Sequence, residues 1–335
     1  MTQDGYDPDD GLDEAGHLPD ASTVLAEIER GQPLSPNRLR ALNEPDDAVL
    51  RQMVTLWPKM PVERRRELLA AFERLTEEDA TLDFHRLALS ATRDADAATR
   101  ILAVRGLTNE DRPEYLRLLV AQLRDDPAPA VRAEVAEVLG GFVVALELGL
   151  LPDDDGESLV AALRDVIEDI EEPDEVRARA LESLGALSDE STAETISDQY
   201  EVGNHRMRLA ALRAMGRSAS EGWLDLLIYH FDDEDPEVRA VAAEATGALL
   251  VDAAVPPLIM LAQEDKDDDV QVAAILALGE IANDESERVL SRWLSERHEP
   301  HIQEAIREAL AEVHLMTGEF YEDERSPEFG EDPKL

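Results

Sequence analysis

Few side chains in this sequence have the types and the spacing needed to bind a metal ion. His298 and Glu299 form the one histidine–glutamate dyad, and His301 and Glu304 follow closely, so imidazole and carboxylate ligands could meet there. However, His298 stands two residues before Pro300, and prolines are typical of loops and helix starts. We therefore predict surface histidines at these positions and no bound metal or other cofactor.

Other patterns that carry chemistry are absent from the sequence. The chain has no cysteine, which excludes a disulfide scaffold, a zinc–thiolate site, an iron–sulfur cluster and a cysteine nucleophile. The acidic run 265–269 is similar to the start of a calcium loop, but Val270 stands where such a loop needs glycine. Phosphate-binding glycine loops, nucleophile elbows, zinc-protease helices and kinase signatures are also missing. The sequence therefore predicts a protein that is not an enzyme.

Acidic side chains dominate the composition. The chain has 76 acidic and 32 basic residues, so its net charge is −44, and the three lysines are Lys59, Lys266 and Lys334. Such a surface repels phosphate groups, which argues against nucleic acid or an anionic membrane as the partner. An acid excess with little lysine is typical of a halophilic source, where salt screens the repulsion, but a GC-rich genome also replaces lysine by arginine. Both interpretations stay open.

The two ends of the sequence are expected to be solvated tails. Residues 1–20 contain seven acids and no lysine or arginine, and residues 318–335 are again acidic and carry two prolines. The start lacks the basic and then apolar segments of a secretory signal. No window approaches the roughly 18 apolar residues of a membrane span. We therefore expect a cytoplasmic protein.

An internal repeat organises the rest of the chain. Five copies of one motif occupy 130–140, 175–185, 206–216, 237–247 and 269–279, and looser copies occupy 98–108 and 301–311. The last residues of successive copies are 32, 45, 31, 31, 32 and 32 positions apart. A period in this range predicts an array of stacked units.

Each copy has the pattern of a helix that follows an acidic turn. Apolar residues recur three, four and seven positions apart, for example Val131, Val135 and Val138. Turns such as Asp235-Pro236 precede the copies, and an acid before proline is typical of a helix start. Another amphipathic stretch lies before each turn. The predicted unit is therefore a first helix, a short turn and a second helix.

These features resemble the HEAT-repeat family, in particular its short HEAT-like variety with Asp-Pro, Val-Arg, Ala and Leu-Gly at fixed offsets. The resemblance covers residues 94–315 and continues more weakly over 46–57, 61–75 and 78–90. One or two extra helices are expected over 21–42, so the N-terminal part 21–93 is a degenerate part of the array. It implies an all-α fold, a right-handed α-solenoid of about eight stacked helix pairs. We predict that residues 21–317 form this single domain.

The resemblance also implies a role for a row of arginines. HEAT-repeat proteins carry a structural ladder in which an arginine near the start of each second helix bonds an acid in its own or the next turn. The matching arginines here are Arg132, Arg177, Arg208 and Arg239, and the acids are Asp126, Glu172 and Asp235. A row of anion-binding arginines is the alternative, although the surrounding acids would neutralise it.

The 45-residue spacing contains an insertion, residues 141–156. We predict that the second helix continues past Gly140 and that a loop follows at 152–156. Insertions within repeats often lie on a binding face.

One second helix, residues 270–281, is almost entirely apolar. Leu276 stands where four other copies have the charged residues Glu137, Glu182, Arg213 and Glu244, and Ala273 lies one turn earlier. Either the helix is buried on all sides, or Ala273 and Leu276 form an apolar patch for a partner.

We predict a non-catalytic protein–protein interaction scaffold, a monomer that binds an unidentified protein on the concave face formed by the second helices. The alternative is a HEAT-like enzyme of the phycobilin-lyase or deoxyhypusine-hydroxylase type. The hydroxylases hold two irons with several His-Glu dyads, whereas this sequence has one, and it shows no chemistry peculiar to the lyases. HEAT-like DNA glycosylases need a basic groove, which the net charge of this chain opposes.

Overall fold

The structure is a computed structural model that describes residues 18–108, 110, 112–296 and 298–317. The two predicted tails lie outside these residues, apart from 18–20. The described residues form α-helices and short 3₁₀ turns and contain no strand. They divide into two compact units between Ala211 and Leu212.

Unit 1 comprises the residues up to Ala211. Its helices are α1 (Ala21–Glu29), α2 (Pro36–Leu39), α3 (Asp47–Leu56), α4 (Val62–Glu78), α5 (His85–Ala91), α6 (Ala97–Arg105), α7 (Pro113–Asp125), α8 (Pro129–Glu147), α9 (Asp153–Glu168), α10 (Asp174–Leu184), α11 (Glu190–Val202) and the first part of α12 (His205–Arg217).

Unit 2 comprises the residues from Leu212. After the end of α12 its helices are α13 (Leu224–Tyr229), α14 (Pro236–Ala248), α15 (Val255–Glu264), α16 (Asp268–Ile281), α17 (Asp284–Leu294) and α18 (Pro300–Thr317).

From α3 onward the helices follow one another as eight consecutive pairs. The second helices pack side by side: α6, α8 and α10 do so in unit 1, and α14, α16 and α18 do so in unit 2. Several of these also pack against the first helix of their own pair, as α7 does with α8 and α15 with α16. The predicted all-α solenoid of helix pairs is thus confirmed.

Acidic side chains begin many of the helices, as the sequence predicts. Asp235 precedes Pro236, the first residue of α14, and its carboxylate accepts the Glu237 N–H at 3.0 Å. Asp267 caps α16 in the same way and accepts the N–H groups of Asp269 and Val270. These carboxylates satisfy N–H groups that have no partner within the helix.

The insertion differs from its prediction in one respect. Helix α8 continues past Gly140 to Glu147, as expected, but the predicted loop at 152–156 is wrong, because Pro152 is the N-cap of α9. The acids after Pro152 form the first turn of that helix, where negative charge is favourable. One of them, Asp155, is buried and paired with Arg117 at 2.8 Å.

Aliphatic side chains fill the core of each unit. The first part of unit 1 also has a pair of stacked rings, Phe72 and Phe84, with centroids 4.4 Å apart. None of the described helices combines the length and the apolar character that a membrane crossing requires.

Candidate functional site

The arginine ladder is visible as a set of repeated bonds between turns. Arg132, near the start of α8, donates Nη1–H to the Asp126 carbonyl in its own turn at 2.6 Å. Its Nε and Nη2 groups donate to the Glu172 carboxylate of the next turn at 2.9 and 2.7 Å. Arg132 thus ties two successive turns together with three hydrogen bonds.

Arg239 forms the corresponding bonds in unit 2. It donates to the Asp233 carbonyl of its own turn at 2.9 Å and to both carboxylate oxygens of Asp265 at 2.7 and 2.8 Å. The acid on this rung is therefore Asp265, in the turn after Asp235. The Asp235 carboxylate caps α14 instead of bonding Arg239.

The other two predicted arginines lie at equivalent positions. Arg177 donates to the Ile167 carbonyl at 3.0 Å, to Asp174 at 3.2 Å and to Gln199 at 3.4 Å. Arg208 is half-buried in α12. The residue that accepts from Arg177 on the next first helix is thus the amide of Gln199 and not an acid.

Sequence reasoning missed two rungs of the ladder. Arg100 donates to the Asp94 carbonyl at 2.9 Å and to both oxygens of Asp126 at 2.8 and 2.7 Å. Arg65 on α4 pairs with the Asp94 carboxylate. The signal for Arg100 was its place as the third residue of the loose copy 98–108, where the clear copies also have arginine or glutamine.

Glutamine replaces arginine on two rungs near the end of the chain. Gln271 Nε2 donates to the Asp265 carbonyl at 2.7 Å, and Gln303 Nε2 donates to the Glu296 carbonyl at 2.9 Å. Each amide thus keeps the bond to its own turn, but it supplies no charge for an ion pair with the next one.

Two of the ladder acids, Asp126 and Asp265, are held in their charged form. Burial raises the pKa of Asp126, but hydrogen bonds from Arg100, the Ala128 N–H and Gln122 outweigh it, so the pKa lies below its usual range. The pKa of Asp265 is lowered in the same way, chiefly by Arg239. The guanidinium donors of Arg100, Arg132 and Arg239 are used in bonds between turns of the protein, as a structural ladder requires.

The predicted partner residues do not share one environment. Ala273 is 5% exposed and belongs to the core of unit 2, so the expectation that it forms part of an exposed patch is wrong. The reason is that α16 packs against α14, α15, α17 and α18, which cover most of its circumference. Leu276 is half-buried and packs against the same core.

Leu276 belongs to a surface formed by equivalent positions of α14, α16 and α18, which we call the unit 2 face. Its members are Ala240, Glu244, Val272, Leu276, Glu280, Glu308 and Glu312. The three apolar residues are half-buried, and the glutamates are exposed. Among the described residues, Glu280, Glu308 and Glu312 form no ion pair, so this face combines apolar surface with uncompensated negative charge.

The carboxylate of Glu280 lies against the neighbouring helix. Its Oε2 atom would be 2.8 Å from a Cβ placed on Gly247 of α14. Although Glu280 as a whole is exposed, this contact removes part of the water from its carboxylate and raises its pKa, and the nearby Glu244 and Glu312 raise it further. The ionised carboxylate of Glu280 therefore destabilises the folded protein.

A cavity in unit 1, which we call the α6 hollow, is a second candidate site. It has a volume of about 470 Å³ and lies beyond the end of α6. Its walls come from α4, α5, α6 and α8. The sequence analysis did not find it.

The histidines of the predicted ligand cluster have different partners. His301 Nε2 lies 3.2 Å from Asp268, whereas Glu304 pairs with Arg307 at 2.9 Å. His298 Nε2 is 3.9 Å from Glu296. In the described part of the chain, His298, His301 and Glu304 therefore do not form one ligand set.

Comparison with known proteins identifies the repeat. The family model described as HEAT repeats matches residues 158–247, 194–274 and 255–325, together about half of the chain. No curated protein matches the sequence significantly.

Among solved structures, human deoxyhypusine hydroxylase in complex with glycerol is similar at 20% identity and a TM-score of 0.33 over 78% of this chain and 96% of that one. Kap121p is similar at 16% identity and a TM-score of 0.41 over 88% of this chain and 34% of that one.

Proposed function

Because the chain belongs to the HEAT-repeat family, we propose that it is a non-catalytic scaffold that binds a protein partner through the unit 2 face. The observation that carries this proposal is Leu276. It is a half-buried leucine at a position where the neighbouring helices α14 and α18 have the exposed residues Glu244 and Glu308.

An apolar side chain rimmed by charges has the features of an anchoring point for a partner. Val272 and Ala240 extend the apolar surface along and across the helices. Since these residues lie on packed helices and not on loops, little ordering would accompany binding. The partner we propose is a protein and neither a nucleic acid nor a membrane, since the net charge is −44.

The proposal includes no catalytic role and no cofactor. It is supported by the separate partners of His301 and Glu304, which leave no shared set of ligands there. Elemental analysis and absorbance spectroscopy of the protein from its native host discriminate the alternatives. Two irons per chain would favour the hydroxylase type, and a bound bilin would favour the lyase type.

The test is Leu276→Glu, which gives α16 the residue that α14 and α18 have at this position. We expect a loss of stability of about 1 kcal/mol or less, because only the half-buried part of the leucine leaves the core. Binding should fall at least about tenfold, because an interface that buries an unpaired carboxylate is penalised. Partners captured from the native host are identified by mass spectrometry, purified, and titrated by calorimetry against wild type and variant.

Met260→Glu is the matched control. Met260 is 59% exposed on the first helix α15, so the variant adds the same charge to unit 2 away from the proposed face. Binding that is lost equally in both variants would argue for a general charge effect. A large fall in melting temperature for Leu276→Glu would show that Leu276 is a core residue, and the site would be withdrawn.

A further inference from the structure

The α6 hollow results from unequal helix lengths. Helix α6 has 9 residues, whereas its neighbours α4 and α8 have 17 and 19. The chain leaves the helix at Gly106 in a tight turn, with the Leu107 N–H bonded to the Val104 carbonyl at 2.9 Å. The two longer helices continue on either side, and the space that a further turn of α6 would fill remains open.

The floor of the hollow is apolar and partly aromatic. It is formed by Phe72 and Phe84, whose rings are stacked, together with Leu69, Leu82, Ala88 and Leu102. Both phenylalanines are buried, so their positions are fixed by the core beneath them. A floor of this kind favours the apolar body of a ligand and gives nothing to a hydrated metal ion.

The walls of the hollow carry an excess of negative charge. Four glutamates line it, Glu73 and Glu77 from α4 and Glu134 and Glu137 from α8, against one arginine. That arginine, Arg105, pairs with Glu134 at 2.9 and 3.0 Å. In the described residues Glu73 and Glu77 form no ion pair, although Arg105 also attracts Glu73 and Glu137 over a longer distance. One guanidinium thus serves four carboxylates, and the hollow keeps a net negative charge.

We propose that the α6 hollow binds an organic cation with an apolar body, such as an arylalkyl ammonium or guanidinium group. The apolar part would lie on the floor, chiefly against the half-buried Leu82 and Leu102, and the cation would lie between Glu73 and Glu77. The volume of about 470 Å³ is within the range of small-molecule sites. The same group can come from a free amine or from basic and aromatic side chains of a partner protein.

The experiment uses the full chain and 4-fluorophenethylamine, followed by ¹⁹F NMR. Because a net charge of −44 attracts every cation, titrations are made in about 0.5 M KCl, where exposed charges are largely screened. Two compounds serve as controls: 2-(4-fluorophenyl)ethanol keeps the ring without the charge, and 2-fluoroethylamine keeps the charge without the ring. We expect the fluorophenethylamine to bind about tenfold more tightly than either.

The variant Glu73→Gln/Glu77→Gln keeps the shape of the walls and removes two of their four negative charges. It should weaken the binding of 4-fluorophenethylamine about tenfold. The matched control is Glu194→Gln/Asp198→Asn, two exposed acids with the same spacing on α11 and no ion pair in the described residues. It makes the same change in net charge and should leave binding unchanged.

Three results would overturn the proposal: equal binding of the alcohol and the amine, equal loss in the two double variants, or no saturable binding by any probe. A blocked peptide that contains Phe-Lys, titrated in parallel, distinguishes the sources. Tighter binding of the peptide assigns the site to a partner protein, and tighter binding of the free amine assigns it to a small molecule. Failure here leaves the role of Leu276 untouched, since that residue lies in unit 2.

Discussion

The two units carry the same repeat but join their second helices differently. In unit 2, a Cβ placed on Gly247 would lie 2.7 Å from the Cα of Ala277, and one on Gly279 would lie equally close to Ala309. In unit 1, the equivalent Gly140 meets the Ser183 side chain, with Oγ at 3.0 Å. The glycines of unit 2 thus meet helix backbone, whereas Gly140 in unit 1 meets a serine side chain, which also donates to the Ala136 carbonyl of α8 at 2.8 Å.

The surface of these helices differs in the same way. In unit 1, arginines neutralise the glutamates: Arg105 pairs with Glu134, and Arg179 lies 3.4 Å from Glu137 and 3.1 Å from Glu182. In unit 2, Glu280 and Glu312 form no ion pair among the described residues and flank apolar surface. The same repeat thus gives two kinds of surface. In unit 1 the glutamates are paired with arginines, which we call a self-paired face, and in unit 2 Glu280 and Glu312 keep their negative charge.

The largest expected effect concerns the close helix contact. Gly247→Val places side-chain atoms against the backbone of Ala277, so the helices must move apart, and we expect a loss of about 3 kcal/mol or more. Gly141→Ala in α8 is the control, since a Cβ there would meet no atom within 4 Å apart from its chain neighbours and the backbone of its own helix turn. It should stabilise the protein by about 0.5 kcal/mol, because alanine favours a helix over glycine.

Urea unfolding of both glycine variants measures these changes. Equal stability of Gly247→Val and wild type would show that α14 and α16 separate without cost. The distinction between the two units would then have no energetic meaning.

The second effect concerns the ladder. Arg100 and Asp126 are 7% and 8% exposed, so Arg100→Met leaves a buried carboxylate without its cation, and we expect a loss of about 3 kcal/mol at pH 7. Gln271→Met, at the equivalent position in unit 2, removes one neutral hydrogen bond and should cost about 1 kcal/mol. Thermal melting of the two variants provides the comparison, and equal losses would show that the ion pairs add nothing to the ladder.

Much of the fold could be predicted from the sequence, because the repeat period and the helix pattern are local properties. The sequence also named Glu172 as a ladder acid, and this residue pairs with Arg132. For Arg239 the turn contains several acids, and local geometry decides that Asp235 caps the helix and that the next turn supplies Asp265.

The sites were less accessible to sequence reasoning. Ala273 was misplaced because burial depends on how many helices surround α16, which no single helix pattern contains. The α6 hollow depends on where α6 ends relative to α4 and α8. Gly106 is a possible helix end, but Gly140 and Gly247 lie within α8 and α14, so glycine alone does not decide where a helix of this repeat stops. Both features arise from relations between helices and not from the helices themselves.

The smallest expected effect tests the charge retained on the unit 2 face. The pKa of Glu280 is raised in the folded protein, so its contribution favours folding below the unfolded pKa of about 4.3 and is lost as the pH rises through the folded value. Glu280→Gln should therefore stabilise the protein at pH 7 by only about 0.3 kcal/mol, because the residue is exposed and water screens it. At pH 4 the difference should vanish.

Glu194→Gln, an exposed change on α11, is the control for the loss of one negative charge. Urea unfolding at pH 4 and pH 7 measures both variants. A gain for Glu280→Gln that is equal at the two pH values, or matched by Glu194→Gln, would mean that Glu280 bears no local strain. In that case the negative charge on the unit 2 face would destabilise the fold no more than the charge on any other exposed surface of this acidic protein. The unit 1 and unit 2 faces would then differ in their arrangement of charges but not in their effect on stability.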